Sequence, residues 1–257
     1  MRSVNAKSVD LLRYRASDAE MQRTSDVLRL VPGGCSTALD VGAREGHFST
    51  LLAQRIARVT ALDLEVPVID DPQVQCVQGD LTRLQFAADA FDLVVCTEVL
   101  EHIDPPQLPQ ACAELTRVCA KYLLVGVPFR QDIRVGRTTC SQCRTHNPPW
   151  GHVNRFDIDG LLAMFPALHQ VEVSYVGRNR ANTNALSAVL LDLAGNPYGT
   201  YGQDEGCVEC GARLQVPPPR NLGRKLLTKA GHFVRQLTQP FHAERANWVH
   251  VLFVKPH

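Results

Sequence analysis

Between residues 37 and 127, short apolar runs alternate with stretches of helical periodicity. Strands are predicted at 37–41, 58–62, 74–78, 91–96 and 122–127. Helices are predicted at 46–55 and from either Glu98 or Gln107 to Cys119. Upstream, Val9, Leu11, Leu12, Met21, Val27, Leu28 and Leu30 recur among charged positions, an amphipathic helical pattern over the first 30 residues that Pro32-Gly33-Gly34 stops. Short apolar strands separated by helical segments predict a parallel sheet covered on both faces. A helix at 156–165, an alternating strand at 170–176 and a final strand at 248–254 follow. Residues 178–246 are less regular, with Asn/Gly/Tyr-rich turns, the breaker Pro217-Pro218-Pro219 and a basic helix at 224–237. The fold class expected is α/β, doubly wound, in a single domain over 1–257 with insertions at 130–155 and 178–246.

Length and composition fit that architecture. A chain of 257 residues buries one large α/β core, and 45% apolar with 21% charged residues is ordinary for a globular domain. The net charge of +1 supplies no global field for nucleic acid or an anionic membrane, so such binding needs a local patch. The N-terminus lacks a signal-peptide pattern and the longest apolar runs are too short to span a bilayer, so a cytoplasmic location is expected. Of nine cysteines, Cys35, Cys76, Cys96, Cys112 and Cys119 lie in apolar or helical contexts, where a free thiol packs as a small hydrophobe. The other four form two C-x-x-C pairs, which in a reducing compartment suggest metal rather than disulfides.

The segment LDVGAREG (39–46) reads as strand, tight turn and helix start. A glycine at such a turn lets backbone approach a ligand, and the helix start adds oriented N–H groups. Asp63 closes the second strand, where a carboxylate accepts ribose hydroxyls, and Asp80 closes the third, within reach of an adenine amino group. LDVGAREG, ALDLE (61–65), QGDL (78–81), FDLVVCTEVLEHI (91–103) and YLLVGVPF (122–129) occur in the order and spacing of the class I S-adenosylmethionine-dependent methyltransferases. The chain resembles that family over about residues 15–177 and 247–255. The resemblance implies S-adenosylmethionine as cofactor, with Asp40, Gly42 and Gly46 at its methionine half, Asp63 at the ribose and Asp80 and Leu81 flanking the adenine. Ala43, Leu64 and Thr97 are expected among the cofactor-binding residues. It also implies a seven-stranded sheet of six parallel strands and one antiparallel, the last strand inserting beside the fifth. One departure stands out: Arg44 occupies a position usually held by glycine, where it crowds the cofactor, pairs with its carboxylate or points away.

Glu98, Glu101 and His102 share one face if a helix starts at Glu98. Two carboxylates and an imidazole suit Mg2+ or another hard divalent ion, which would lower the pKa of an acceptor hydroxyl. The string E-V-L-E-H resembles that of ubiquinone-pathway O-methyltransferases and of small-RNA terminal 2′-O-methyltransferases. In the latter a Glu-Glu-His set holds metal with a downstream histidine, and here the matching residue is His152. The competing readings are a general-base role for His102 or His152, or orientation of the acceptor without metal.

Cys140, Cys143, Cys207 and Cys210 have the knuckle spacing of structural zinc, and four thiolates would close a tetrahedral sphere that clamps the two insertions into a lid. His146 is a substitute ligand. The basic helix is expected to be a solvated face over a core-facing stripe, with peripheral membrane or phosphate contact as the functional alternative. The two C-x-x-C pairs, the basic stretch and the W-x-x-x-L-F-V-K ending resemble methyltransferases of bacterial glycan or natural-product pathways, so O-methylation of a glycan or small-molecule hydroxyl is expected. An RNA 2′-O-methyltransferase, weighed against by the near-zero charge, and a non-catalytic zinc-stabilised binding protein are the alternatives.

Overall fold

A computed structural model describes residues 14–203, 205–219 and 221–256. Its frame is a seven-stranded sheet built from β1 (Thr37–Val41), β2 (Arg58–Asp63), β3 (Val74–Gln78), β4 (Phe91–Thr97), β5 (Cys119–Pro128), β8 (His169–Val176) and β9 (Trp248–Val254). The spatial order is β3-β2-β1-β4-β5-β9-β8. β9 runs antiparallel to both β5 and β8, and the other six strands are parallel to one another. A separate two-stranded ribbon, β6 (Thr138–Thr139) with β7 (His146–Asn147), lies in the first insertion.

The continuous apolar strands explain the layering. Along β4, Leu93 and Val95 join one core while Val94 and Cys96 join the other, the period-two alternation of a strand buried on both faces. One face is covered by α1 (Asp18–Leu30) and α2 (His47–Ala53) through Val27, Leu30, Phe48 and Leu52. The other is covered by α3 (Leu108–Val118) and α4 (Ile158–Ala163) through Leu108, Cys112, Leu115 and Leu161. Ser17 caps α1, its hydroxyl accepting from the Glu20 N–H.

Of the two helix starts left open, the structure takes the one at Gln107, which caps α3 from Leu108; Glu98 has φ of 58° and a 3-10 turn spans Leu100–His102, so Glu98, Glu101 and His102 share no helix face. Two local expectations are corrected. The irregular second insertion contains α5 (Ala185–Leu193), whose nearly uniform apolar sequence lacks the polar alternation that marks a surface helix. The basic helix is longer, α6 (Leu222–Thr238), and its apolar stripe points outward rather than to the core. The amphipathic reading before residue 14, including Val9, Leu11 and Leu12, lies outside the described residues. Among the described residues no helix is long and apolar enough to cross a membrane.

Candidate functional site

The carboxyl ends of β1, β4 and β5 open into a cavity of about 820 Å³. In open parallel sheets this is where ligands lie, at the point where the strand order reverses. β1 leads into the turn Gly42-Ala43-Arg44-Glu45 and then into α2. Gly42 has φ of 77°, and a Cβ there would meet Val99 Cγ2 at 2.3 Å, so only glycine keeps the turn open. Gly46, φ 83°, starts α2 under the same restriction, with Ile69 Cδ1 at 2.3 Å from the Cβ position. Arg44 holds φ of 47° without being glycine; its N–H donates to Asp63 Oδ2 at 2.8 Å and its side chain is exposed at the cavity rim.

The residues singled out for the cofactor divide into two groups. Asp40, Gly42, Ala43 and Thr97 line the cavity. Asp40 is buried and accepts from Ser49 Oγ at 2.6 Å; burial pushes its carboxyl up to about 6. Asp63, Leu64, Asp80 and Leu81 lie along the neighbouring strand ends, outside that cavity. Asp63 accepts from the N–H groups of Arg44 and Leu64, Leu64 is exposed, Leu81 is buried, and exposed Asp80 accepts from the N–H and hydroxyl of Thr82.

The acidic and histidine cluster forms by a route different from the expected helix face. Glu101 sits in the 3-10 turn, and its carbonyl accepts from Val153 N–H at 2.8 Å and Asn154 N–H at 3.2 Å. Asn154 Nδ2 donates to the carbonyls of Leu100 and Ile103. These bonds fasten the segment Gly151-His152-Val153-Asn154 to the turn, and the His102 and His152 rings meet edge to face at 4.7 Å. Ligand atoms of Glu101, His102 and His152 all lie within 4.8 Å of one another. Glu98 is not in that trio but its carboxyl adjoins Glu101. Burial, and then the neighbouring Glu98 charge, push the Glu101 carboxyl well above the usual range. Both Glu101 carboxyl oxygens are buried without a hydrogen-bond partner. His152 Nδ1 meets Gln131 Oε1 at 2.6 Å, which fixes Nδ1 as the donor and leaves Nε2 free. Burial and then His102 push the His152 imidazole down to about 3, so it is neutral near pH 7.

Several lining residues escaped the sequence reading. From the N-terminal helix come Arg23 and, just before it, Tyr14 and Arg15. Buried Arg23 pairs with buried Glu20, its Nε donating at 2.9 Å, and lies over the rings of Phe48 at 5.1 Å and Trp248 at 5.8 Å. Arg23 also faces Glu98: burial raises that carboxyl, while the Arg23 charge and the Trp248 indole act against the rise. The opposite wall presents Gln131, Trp150, Asn179, Gln203, Glu205 and Asn247. Gln131, 21 residues from His152, carries no sequence signal of its role, Asn154 shows only as a neighbour of His152, and Arg23 only as one charge among many in an amphipathic helix.

The four knuckle cysteines come together although the pairs are far apart in sequence. Cys140 Sγ lies 3.7 Å from Cys210 Sγ, and Cys143 Sγ lies 3.4 Å from Cys207 Sγ. All four thiols fall within 4.8 Å of one another. The two loops repeat one backbone pattern. Cys140 N–H donates to Thr145 O and Arg144 N–H to Cys140 O; Cys207 N–H donates to Ala212 O and Gly211 N–H to Cys207 O. Arg144 and Gly211, each directly after the second cysteine, have φ of 67° and 69°. Asn147 Oδ1, accepting from Val208 N–H at 2.8 Å, ties one loop to the other. His146 stands outside, 3.5 Å from an Asp192 carboxyl oxygen. On the cavity wall, Gln203 Oε1 accepts from Trp150 N–H at 2.6 Å, which joins the two insertions.

Comparison with known proteins agrees with this geometry. The methyltransferase-domain family Methyltransf_11 matches residues 39–122. A ubiquinone biosynthesis O-methyltransferase of Xanthomonas axonopodis pv. citri is 37% identical over 110 residues, 37% of this chain and 44% of the relative. One from Leptothrix cholodnii is 34% identical over 91 residues, 31% of this chain and 39% of the relative. The chain thus spans less than half the length of these relatives. Among solved structures, the N-methyltransferase NodS of Bradyrhizobium japonicum WM9 superposes with a TM-score of 0.53 at 17% identity, covering 95% of this chain and 99% of that one, a likeness of fold. Residues 39–122 thus match the methyltransferase-domain family, and the chain shares its overall fold with a solved methyltransferase.

Proposed function

We propose that the protein transfers the methyl group of S-adenosylmethionine to a hydroxyl of a small, sugar-like acceptor. The observation that carries this reading is the juxtaposition, in one cavity, of the Gly42 turn with Glu98, His102 and His152. Asp40, Gly42, Ala43, Gly46 and Thr97 would hold the methionine half of the cofactor, Asp63 and Leu64 its ribose, and Asp80 and Leu81 its adenine. Sulfonium methyl transfer is an in-line displacement that needs mainly positioning and removal of the acceptor proton. The far wall combines the amides of Gln131, Asn179, Gln203 and Asn247 with the exposed indole of Trp150. Amide donors and acceptors with an aromatic face suit a hydroxyl-rich ring better than a long apolar tail.

Glu101, His102 and His152 would suit a divalent first-row transition ion better than the Mg2+ expected from two carboxylates and one imidazole: the trio offers one orphaned buried carboxyl and two imidazoles, one of them with a free Nε2, all mutually close. Such an ion, when bound, makes an acceptor hydroxyl more acidic. The residues do the remaining work: Gln131 orients His152, and Asn154 holds the turn bearing Glu101. A second reading, methylation of a terminal ribose of RNA, draws on the same cluster, because a ribose end offers the same vicinal diol.

The four cysteines are proposed to hold a structural zinc. At the usual Zn–S length of about 2.3 Å, a tetrahedron has sulfur–sulfur edges of about 3.8 Å, close to the 3.4 and 3.7 Å found here. Those distances are far beyond the roughly 2 Å of a disulfide.

The test is transfer of labelled methyl from S-adenosylmethionine to a panel of glycans, phenolic small molecules and RNA ends, with and without divalent ions. Label on a glycan hydroxyl, reduced about 100-fold in His152→Ala, supports the proposal. Label confined to RNA ends, with steep loss at high salt, would favour the second reading instead.

A further inference from the structure

We infer that α6 docks the protein on an anionic phospholipid bilayer. The helix is inverted relative to an ordinary surface helix. Its inner side is fastened by small and polar groups: Ser187 Oγ donates to Gly231 O at 2.9 Å, Arg235 Nε to Asn182 O at 2.9 Å, and Asn184 Nδ2 to Thr238 Oγ1 at 2.9 Å. Gly231 sits against α5, where a Cβ would come within 2.9 Å of Leu191 Cγ. The outer side carries Leu222, Leu226, Phe233 and Leu237, each more than half exposed. At 3.6 residues per turn these four positions fall on one narrow stripe. Phe241, in the 3-10 turn that extends the helix, continues it and is 87% exposed.

Charge decides what covers this stripe. Residues 210–243 contain no aspartate or glutamate but include Arg213, Arg220, Arg224, Lys225, Lys229 and Arg235. Lys229 lies within the apolar stripe and Lys225 beside it, both exposed. A second copy pressed against the same stripe would bring lysines to lysines with no carboxylate from this segment to separate them. A nucleic acid would take the lysines and leave the leucines and phenylalanines in water. An anionic bilayer satisfies both, with Leu and Phe at the acyl boundary and the lysine stems reaching headgroup level. The net charge of the whole chain is only +1, so attraction depends on this local concentration of cations. The inference is independent of the acceptor proposed above, and the helix does not line the cavity.

Co-sedimentation of the full chain with phosphatidylcholine vesicles, plain or containing roughly one third phosphatidylglycerol, tests it. Binding is expected to the anionic vesicles alone and to weaken with added salt. Lys225→Gln with Lys229→Gln should weaken it about thirtyfold, from roughly fivefold per lysine. Leu226→Ser with Phe233→Ser should weaken it at least about tenfold, while S-adenosylhomocysteine affinity, read in the same preparations as a check on folding, stays unchanged. Failure of the unaltered protein to bind anionic vesicles would overturn the inference. So would equal loss of cofactor binding in the variants, or a dimer in sedimentation equilibrium that Leu226→Ser with Phe233→Ser dissociates.

Discussion

Burial alone would push the Asp26 carboxyl up, but hydrogen bonds from His250, Arg29 and Ser174 outweigh it and bring the group down to about 2. The pair it forms with buried His250, Nδ1 to Oδ2 at 2.7 Å, joins α1 to β9. A carboxyl depressed on folding contributes stability above its unfolded pKa near 3.8, and that contribution disappears as pH falls toward 2. Asp26→Asn should therefore cost about 1–2 kcal/mol at pH 7 after allowance for solvent screening. It should also flatten the loss of stability between pH 4 and 2, measured by urea unfolding across that range. Glu101 predicts the opposite sign: two unpartnered oxygens beside Glu98 make Glu101→Gln neutral to stabilising, by about 1–2 kcal/mol in urea. The same change should abolish divalent-ion affinity measured by calorimetry. Residue identities at the glycine turn were legible because chemistry there restricts the choice: Gly42 and Gly46 hold positive φ where a Cβ would collide. Arg23, Gln131 and Asn154 were not, because their roles come from contacts across long sequence separations.

The two cysteine loops show how local pattern and tertiary contact divide the information at the level of elements. C-x-x-C spacing predicts each knuckle, and the repeated backbone bonds bear that local geometry out; their meeting depends on Asn147, Tyr201 and the packing of Leu214. Chelation, or Cys143→Ser, should release one zinc per chain by elemental analysis and lower the melting temperature by roughly 5–10 °C. Retention of full stability with no bound metal would contradict the zinc assignment. Between the two starts the sequence left open, Glu98 and Gln107, the later one forms for a physical reason: Pro105-Pro106 favours extended backbone just ahead, so α3 begins at Leu108 and the chain turns through a left-handed Glu98. Glu101, His102 and His152 meet anyway, because the Asn154 clamp replaces the helix face as the device that aligns Glu101 with the histidines. For α6, periodicity located the helix but not its orientation, since Gly231 and Thr228 form the inner face and no hydrophobicity scale marks them as core.

Taken as a whole, the parallel pairing of β1 to β5 was legible from strands alternating with helices, whereas the antiparallel insertion of β9 beside β5 was implied only by the family resemblance. What strand patterning leaves open is the acceptor wall, which two insertions build from opposite sides of β8 in sequence. The crevice at the ends of β1, β2 and β4 is proposed to hold S-adenosylmethionine despite Arg44. Calorimetric titration of the zinc-replete protein with S-adenosylhomocysteine tests it most directly. The account predicts one site per chain in the micromolar range, weakened at least about tenfold in Asp63→Asn through loss of a charged hydrogen-bond acceptor. A folded protein that takes up no S-adenosylhomocysteine would contradict the account and leave a binding protein on a methyltransferase fold.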